Sequence, residues 1–292
     1  GASPFVAFLT NGASVRIADK MGLDFRVVCK RFFLDPAPIF KLARLMDHVD
    51  VDVLHTHTIR GNFYGRLAKI LYPKPILNVT TVHSHVPDEL SGGTGFGLKD
   101  RLLCKRESAL WWFVDQFICV SAKLGQRLLS SGISSEKISV IENAVKVPDP
   151  SLAESGRRAI RTEFNVEDDD IVIGTIGRLV PLKNHVLFLK AAKELSERMS
   201  NVRFFLVGDG TLYQHLVHEA DKMGLSRRVI FTGWRNDIQD LLCAFDIYVI
   251  SSQVEGLNVS VLEAMACAKP VVGTNVKGVA EIVRHEETGL LE

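Results

Sequence analysis

The sequence predicts two α/β domains, each a doubly wound, mainly parallel sheet, and three observations predict it. Short apolar runs rich in β-branched residues alternate with helix-period segments along the chain. The alternation pauses at Pro148, Asp149 and Pro150, a stiff connector that places a boundary between residues 1–147 and 148–292. Finally, 292 residues with 47% apolar content exceed what one small domain needs and suffice for two cores.

In the first domain, Phe5 to Leu9 and Phe25 to Cys29 read as strands, with a short helix over Val15 to Met21 between them. Pro36 and Pro38 open a helix that carries Leu42, Leu45 and Met46 on one face. Asp52 to His57 is a strand with polar residues at its end, followed by a helix with Leu67, Ile70 and Leu71. Ile76 to Val82 is the next strand and runs into His83-Ser84-His85. Residues 86–100 hold four glycines and a proline, which makes a loop longer than ordinary connections. A helix is expected from about Lys99 to Val114, then a strand at Phe117 to Val120, a helix over 122–131 capped by Ser121, and a strand at Ile138 to Ile141.

The second domain repeats the pattern. Strands are expected at Ile171–Ile176, Val202–Val207, Val229–Phe231, Ile247–Ile250 and from Val271. Helices are expected over 185–198, 211–223 and 237–244, with another beginning at Asn258, a suitable N-cap. Asp168-Asp169-Asp170 precedes a strand and reads as a solvated turn.

Charge and cysteine usage narrow the function classes. The net charge is +1, split as 19 Lys and Arg against 13 Asp and Glu over residues 1–148, and 16 against 21 over the rest. No dense basic stripe with interleaved aromatics is present, so nucleic acid is not an expected partner. The five cysteines, Cys29, Cys104, Cys119, Cys243 and Cys267, are scattered through apolar surroundings, which fits reduced thiols in a cytoplasmic protein. Residues 99–114 set Lys99, Arg101, Lys105 and Arg106 beside Leu110, Trp111, Trp112 and Phe113. A core helix with snorkelling cations is the preferred reading. The second, a membrane-surface helix, would attach the protein peripherally to the inner face of a membrane.

Chemistry concentrates between Ile247 and Pro270. A buried strand delivers a polar loop, Ser251 to Gly256, to the start of a helix, the arrangement in which parallel sheets bind ligands. Free backbone N–H groups at such a helix start favour an anion. Glu255 in the loop and Glu263 on the helix flank that position with seven residues between them. Upstream, Arg178 and Lys183 follow a strand, so a planar guanidinium and a point-charge ammonium can converge on one diphosphate. A salt-bridge cluster is the plainer reading of the same two cations. His55 and His57 share one strand face, a metal pair on paper but without a third ligand at useful spacing.

The ordered set GRLVPLKN (177–184), VGDGT (207–211), FTGW (231–234), Glu255-x7-Glu263 and the G-x-x-E of Gly278 to Glu281 resembles retaining glycosyltransferases of the GT-B fold, the family-4 type. The resemblance implies two Rossmann-like domains and transfer of a hexose-type sugar from a nucleotide diphosphate to an acceptor hydroxyl, with no metal or other cofactor. It implies that Arg178 and Lys183 stabilise the departing diphosphate, that Glu255 binds the donor sugar near the reacting centre, and that Glu263 accepts hydrogen bonds from the ribose. Backbone amides of Gly256, Leu257 and Asn258 would cradle phosphate or sugar, and Gly208 and Gly210 would admit the nucleotide close to the backbone. His83 resembles the histidine that the family places beside the donor sugar, with His85 as the competing assignment; Asn143 matches an asparagine read as structural. Asn184 and Ala268 stand where many members have glycine, and little is expected of either change. The acceptor, a sugar or a lipid-linked sugar, would use the first domain. Against the family pattern the chain reads as cut at both ends, which keeps open a non-catalytic nucleotide-sugar-binding fragment; a nucleotide-sugar epimerase or a phosphorylase on the same fold is the alternative enzyme reading.

Overall fold

The computed structural model describes residues 3–28, 35–83 and 109–292. These fall into two compact units that meet in sequence between Glu142 and Asn143.

In the first unit, β1 (Phe5–Phe8) and β2 (Asp24–Val27) form a parallel pair joined by α1 (Ala13–Lys20). A separate parallel sheet holds β3 (Val53–His57), β4 (Leu77–Val82), β5 (Gln116–Cys119) and β6 (Ile138–Val140) in sequence order. Helices α2 (Ala37–His48) and α3 (Thr58–Leu71) meet over a small core of Met46, Ala68, Tyr72 and Ile76. Ser121 caps α4 (Ala122–Ser130) as expected, accepting from the Leu124 amide. The glycine-rich loop 86–100, His85, Cys29, Cys104 and most of the helix expected over 99–114 lie outside the described residues. Of its described residues, Ala109 is helical and Trp111–Phe113 form a 3-10 turn, with Trp112 exposed.

The second unit is a six-stranded parallel sheet in the order β12-β11-β10-β7-β8-β9. Its strands are β7 (Ile171–Ile176), β8 (Val202–Val207), β9 (Val229–Gly233), β10 (Ile247–Ile250), β11 (Val271–Gly273) and β12 (Gly289–Leu291). Covered on both faces, these strands read as continuous apolar runs rather than alternating ones. Period-two geometry then sends Phe204 and Leu206 of β8 into one core with Leu179, Phe188, Leu189 and Leu216. Phe205 and Val207 enter the other, with Phe245, Tyr248, Val261 and Ala264.

The helices of this unit are α5 (Pro150–Glu163), α6 (His185–Arg198), α7 (Tyr213–Lys222), α8 (Ile238–Ala244), α9 (Val259–Ala266) and α10 (Lys277–Ala280). Helix α5 corrects the connector reading of Pro148 to Pro150: Asp149 is its N-cap, accepting from the Ser151 amide at 2.9 Å, and Pro150 occupies the first turn. Asp170 is also corrected, because it is buried rather than solvated and pairs with Arg203 at 3.1 Å.

The strand order is the Rossmann order, which reverses between β7 and β10. The loops after those two strands begin at Gly177 and Ser251, so the fold sets both candidate segments at the switch point.

Candidate functional site

The two loops are stitched together. Gln253 donates its amide to the Leu182 carbonyl at 2.9 Å, and Ser251 donates Oγ to the Lys183 carbonyl at 3.0 Å. Across this seam Lys183 Nζ lies 2.5 Å from Glu255 Oε1, with both side chains largely buried. The Ser252 hydroxyl donates to the same oxygen. Arg178, by contrast, is exposed, and its guanidinium has no hydrogen bond or ion pair with a described residue. One cation of the predicted pair is therefore held by a carboxylate and the other is open to an incoming anion.

Asn258 is the predicted N-cap: buried, with Oδ1 accepting from the Val261 amide at 3.2 Å and from the Ser260 hydroxyl at 2.7 Å. Ser260 also lies 2.7 Å from the buried Tyr248 hydroxyl, whose ionisation burial pushes far up, and that hydroxyl donates to the Ile176 carbonyl at 3.3 Å. The end of β7 and the start of α9 are thus fixed to each other. The amides of Gly256, Leu257 and Asn258 donate to no described residue, which leaves unpaired N–H groups at a helix start. Glu263 is half-buried with no partner among the described residues, and burial raises its pKa above the usual carboxylate value.

Gly208 and Gly210 have a more local reason than the one expected of them. A Cβ on Gly208, where φ is +136°, would lie 1.9 Å from the Gly177 carbonyl oxygen. One on Gly210 would lie 2.5 Å from the Leu179 carbonyl oxygen. Adjacent loop backbone fills that space, so these glycines are required for the loops after β7 and β8 to pack together. Asn184 takes φ 48°, ψ 43° at the start of α6, a left-handed conformation that asparagine tolerates. Ala268 also sits left-handed, at φ 55°, so its replacement of glycine carries a backbone cost that the sequence reading did not expect.

Residues that the sequence reading passed over complete the site. His185, 2% exposed, faces the Arg178 carbonyl through Nε2 at 3.3 Å, and burial pulls its pKa down to about 4. Gly278, quoted only as part of a pattern, is buried under the Glu255–Gly256 backbone. Ser252 carried one signal, its place three residues before Glu255 in a loop.

In the first unit, His57 Nδ1 and His83 Nε2 are 2.9 Å apart, and His55 Nε2 is 2.7 Å from Thr81 Oγ1. Burial and the neighbouring imidazoles hold His57 down at about 4, so it stays neutral near pH 7. Burial depresses His55 and His83 as well. Among the described residues no group of three or more His, Cys, Asp or Glu has the geometry for a metal ion, and no helix is long and apolar enough to cross a membrane.

The description "Glycosyltransferase Family 4" matches residues 6–147, and "Glycosyl transferases group 1" matches residues 156–292. The chain belongs to the family-4-type glycosyltransferases of the GT-B fold. It is 28% identical over 280 residues to the Escherichia coli UDP-Gal:alpha-D-GlcNAc-diphosphoundecaprenol alpha-1,3-galactosyltransferase, covering 90% of this chain and 68% of that protein. It is 24% identical over 258 residues to the N-acetyl-alpha-D-glucosaminyl L-malate synthase of Bacillus anthracis, covering 88% of this chain and 65% of that one. The fold superposes on HepE of Anabaena, solved with UDP and glucose, with a TM-score of 0.81 and 22% identity over 99% of this chain and 77% of that one.

Proposed function

We propose that the chain is a retaining, metal-independent glycosyltransferase that moves a hexose from a nucleotide diphosphate to an acceptor hydroxyl. The observation that carries this reading is the presence of two cations on the loop after β7 at the switch point: Lys183, held by Glu255, and Arg178, exposed. A diphosphate gathers negative charge as its bond to the sugar carbon breaks. Two cations and the unpaired amides of Gly256 to Asn258 are suited to stabilise that charge, a role that a metal fills elsewhere.

In the transfer, the bond between the anomeric carbon and the diphosphate oxygen breaks and a bond to the acceptor oxygen forms. The acceptor proton leaves to a departing phosphate oxygen, so no side-chain base is required. Glu255 binds the sugar hydroxyls, and Glu263 accepts from the ribose hydroxyls. The first unit is assigned the acceptor. The E. coli relative is named for a UDP-sugar and a lipid-diphosphate acceptor, and HepE was solved with UDP, which makes UDP-hexoses and polyprenyl-diphosphate sugars the first substrates to try.

The test is turnover of UDP-galactose and UDP-glucose with a polyprenyl-diphosphate GlcNAc acceptor, with and without EDTA, followed by NMR of the product linkage. The reading predicts acceptor-dependent UDP release, indifference to EDTA, and an α linkage from the α-configured donor. A β linkage, or loss of turnover in EDTA, contradicts it.

A further inference from the structure

Two donors converge on one atom of Glu255. Lys183 Nζ and the Ser252 hydroxyl both meet Oε1, while Oε2 has no hydrogen bond or ion pair to a described residue. Ser252 has no solvent exposure, and its backbone is clamped: the Thr274 hydroxyl donates to its carbonyl at 2.5 Å. On either side, Ser251 and Gln253 are bound to the loop that carries Lys183. The Ser252 hydroxyl is thus fixed from its own backbone and reaches the Glu255 carboxylate, whereas Lys183 approaches on a long flexible stem.

We infer that Ser252 is a positioning residue that holds Glu255 in place when Lys183 is surrendered to the donor, an inference that rests on the donor-site reading above. Among the described residues the ammonium has one anionic partner, Glu255. An arriving diphosphate offers it a second with greater charge. If Lys183 were the sole anchor, the carboxylate would follow the ammonium or lose its partner within a largely buried site. A neutral hydroxyl on an immobile backbone has no such competing attraction. It keeps Oε1 occupied and leaves Oε2 to receive a hydroxyl of the sugar. Ser252 acts through Glu255, and Glu255 touches the sugar, not the nucleotide. Removing the hydroxyl therefore impairs transfer while sparing nucleotide affinity.

The experiment compares wild type, Ser252→Ala, Glu255→Ala and the double variant. Affinity for UDP, GDP and ADP is measured by calorimetry, and kcat and KM are measured with the hexose diphosphate of whichever nucleotide binds wild type. The expected result is nucleotide affinity for Ser252→Ala within twofold of wild type, with kcat lowered tenfold or more. In the Glu255→Ala background, adding Ser252→Ala changes kcat less than twofold, the non-additivity of residues acting as one unit. The inference is overturned if nucleotide affinity falls in step with kcat, if kcat is unchanged, or if the Ser252 effect persists without Glu255. A wild-type protein that binds none of the three nucleotides overturns the donor-site reading, and the inference with it. Wild-type turnover with a silent Ser252→Ala overturns the inference alone.

Discussion

Gly278 gives the sharpest handle on how the fold holds the site. It is buried in α10, and a Cβ built there would lie 1.7 Å from the Gly256 carbonyl oxygen and 2.6 Å from that of Glu255. An ordinary carbon-to-oxygen contact is roughly 3.3 Å. Gly278→Ala must therefore drive the Glu255–Gly256 backbone and α10 apart by roughly 1.5 Å, and both contacts are backbone atoms that no rotamer change can clear. Overpacking of this kind costs about 1–3 kcal/mol. The kinetic effect should be of similar size, because a misplacement of about 1 Å can cost about 100-fold in rate, about 2.7 kcal/mol. The expected outcome is a fall of a few degrees in Tm with turnover of the donor down about 100-fold, read by calorimetric melting and a nucleotide-release assay. Gly12→Ala is the control, since its Cβ would meet nothing within 4 Å. A Gly278→Ala protein that melts and turns over like wild type would refute the packing argument and the placement of Glu255 that depends on it.

Two further outcomes follow from the same region. Cys267 is the C-cap of α9, and the Ala268 and Lys269 amides return to the Met265 and Ala264 carbonyls, a Schellman motif whose left-handed residue is alanine. Ala268→Gly should stabilise the protein by about 1 kcal/mol in urea unfolding, and no gain would contradict the strain assigned to that residue. Burial raises the pKa of Glu263 above its ordinary 4.5, so between the two values the folded state binds more protons than the unfolded one, and stability falls as pH rises through that window. Glu263→Gln should accordingly raise Tm at pH 7, lose that advantage below about pH 4, and weaken nucleotide binding. A variant that is less stable at pH 7 would reverse the sign assigned to Glu263.

The fold was readable because parallel strands buried on both faces leave unmistakable apolar runs. Val202–Val207 and Ile247–Ile250 have the bounds that the sequence predicts, and Asn258 caps the expected helix. Helix α5 was hidden because an Asp-Pro pair suits a connector and a helix start equally, and its packing partner α8 is distant in sequence. The final strand, β12, has three residues and too little pattern to read. Spacing and resemblance singled out Lys183 and Glu255 but not their pairing, which depends on two loops brought together by strand order. Gly208 and Gly278 were visible as glycines, yet only the opposing Gly177 and Gly256 carbonyls show what each makes room for.

The central claim is that the second unit binds a nucleotide diphosphate through Arg178, Lys183 and Glu263. Calorimetric titration with UDP, GDP and ADP tests it most directly, on wild type and on Arg178→Ala, Lys183→Ala and Glu263→Ala. One nucleotide should bind at a single site, and each variant should weaken it about tenfold or more, the loss of a charge-assisted contact of about 1.5–3 kcal/mol. A protein that unfolds cooperatively yet binds none of them, or binds one equally well in all three variants, would contradict it.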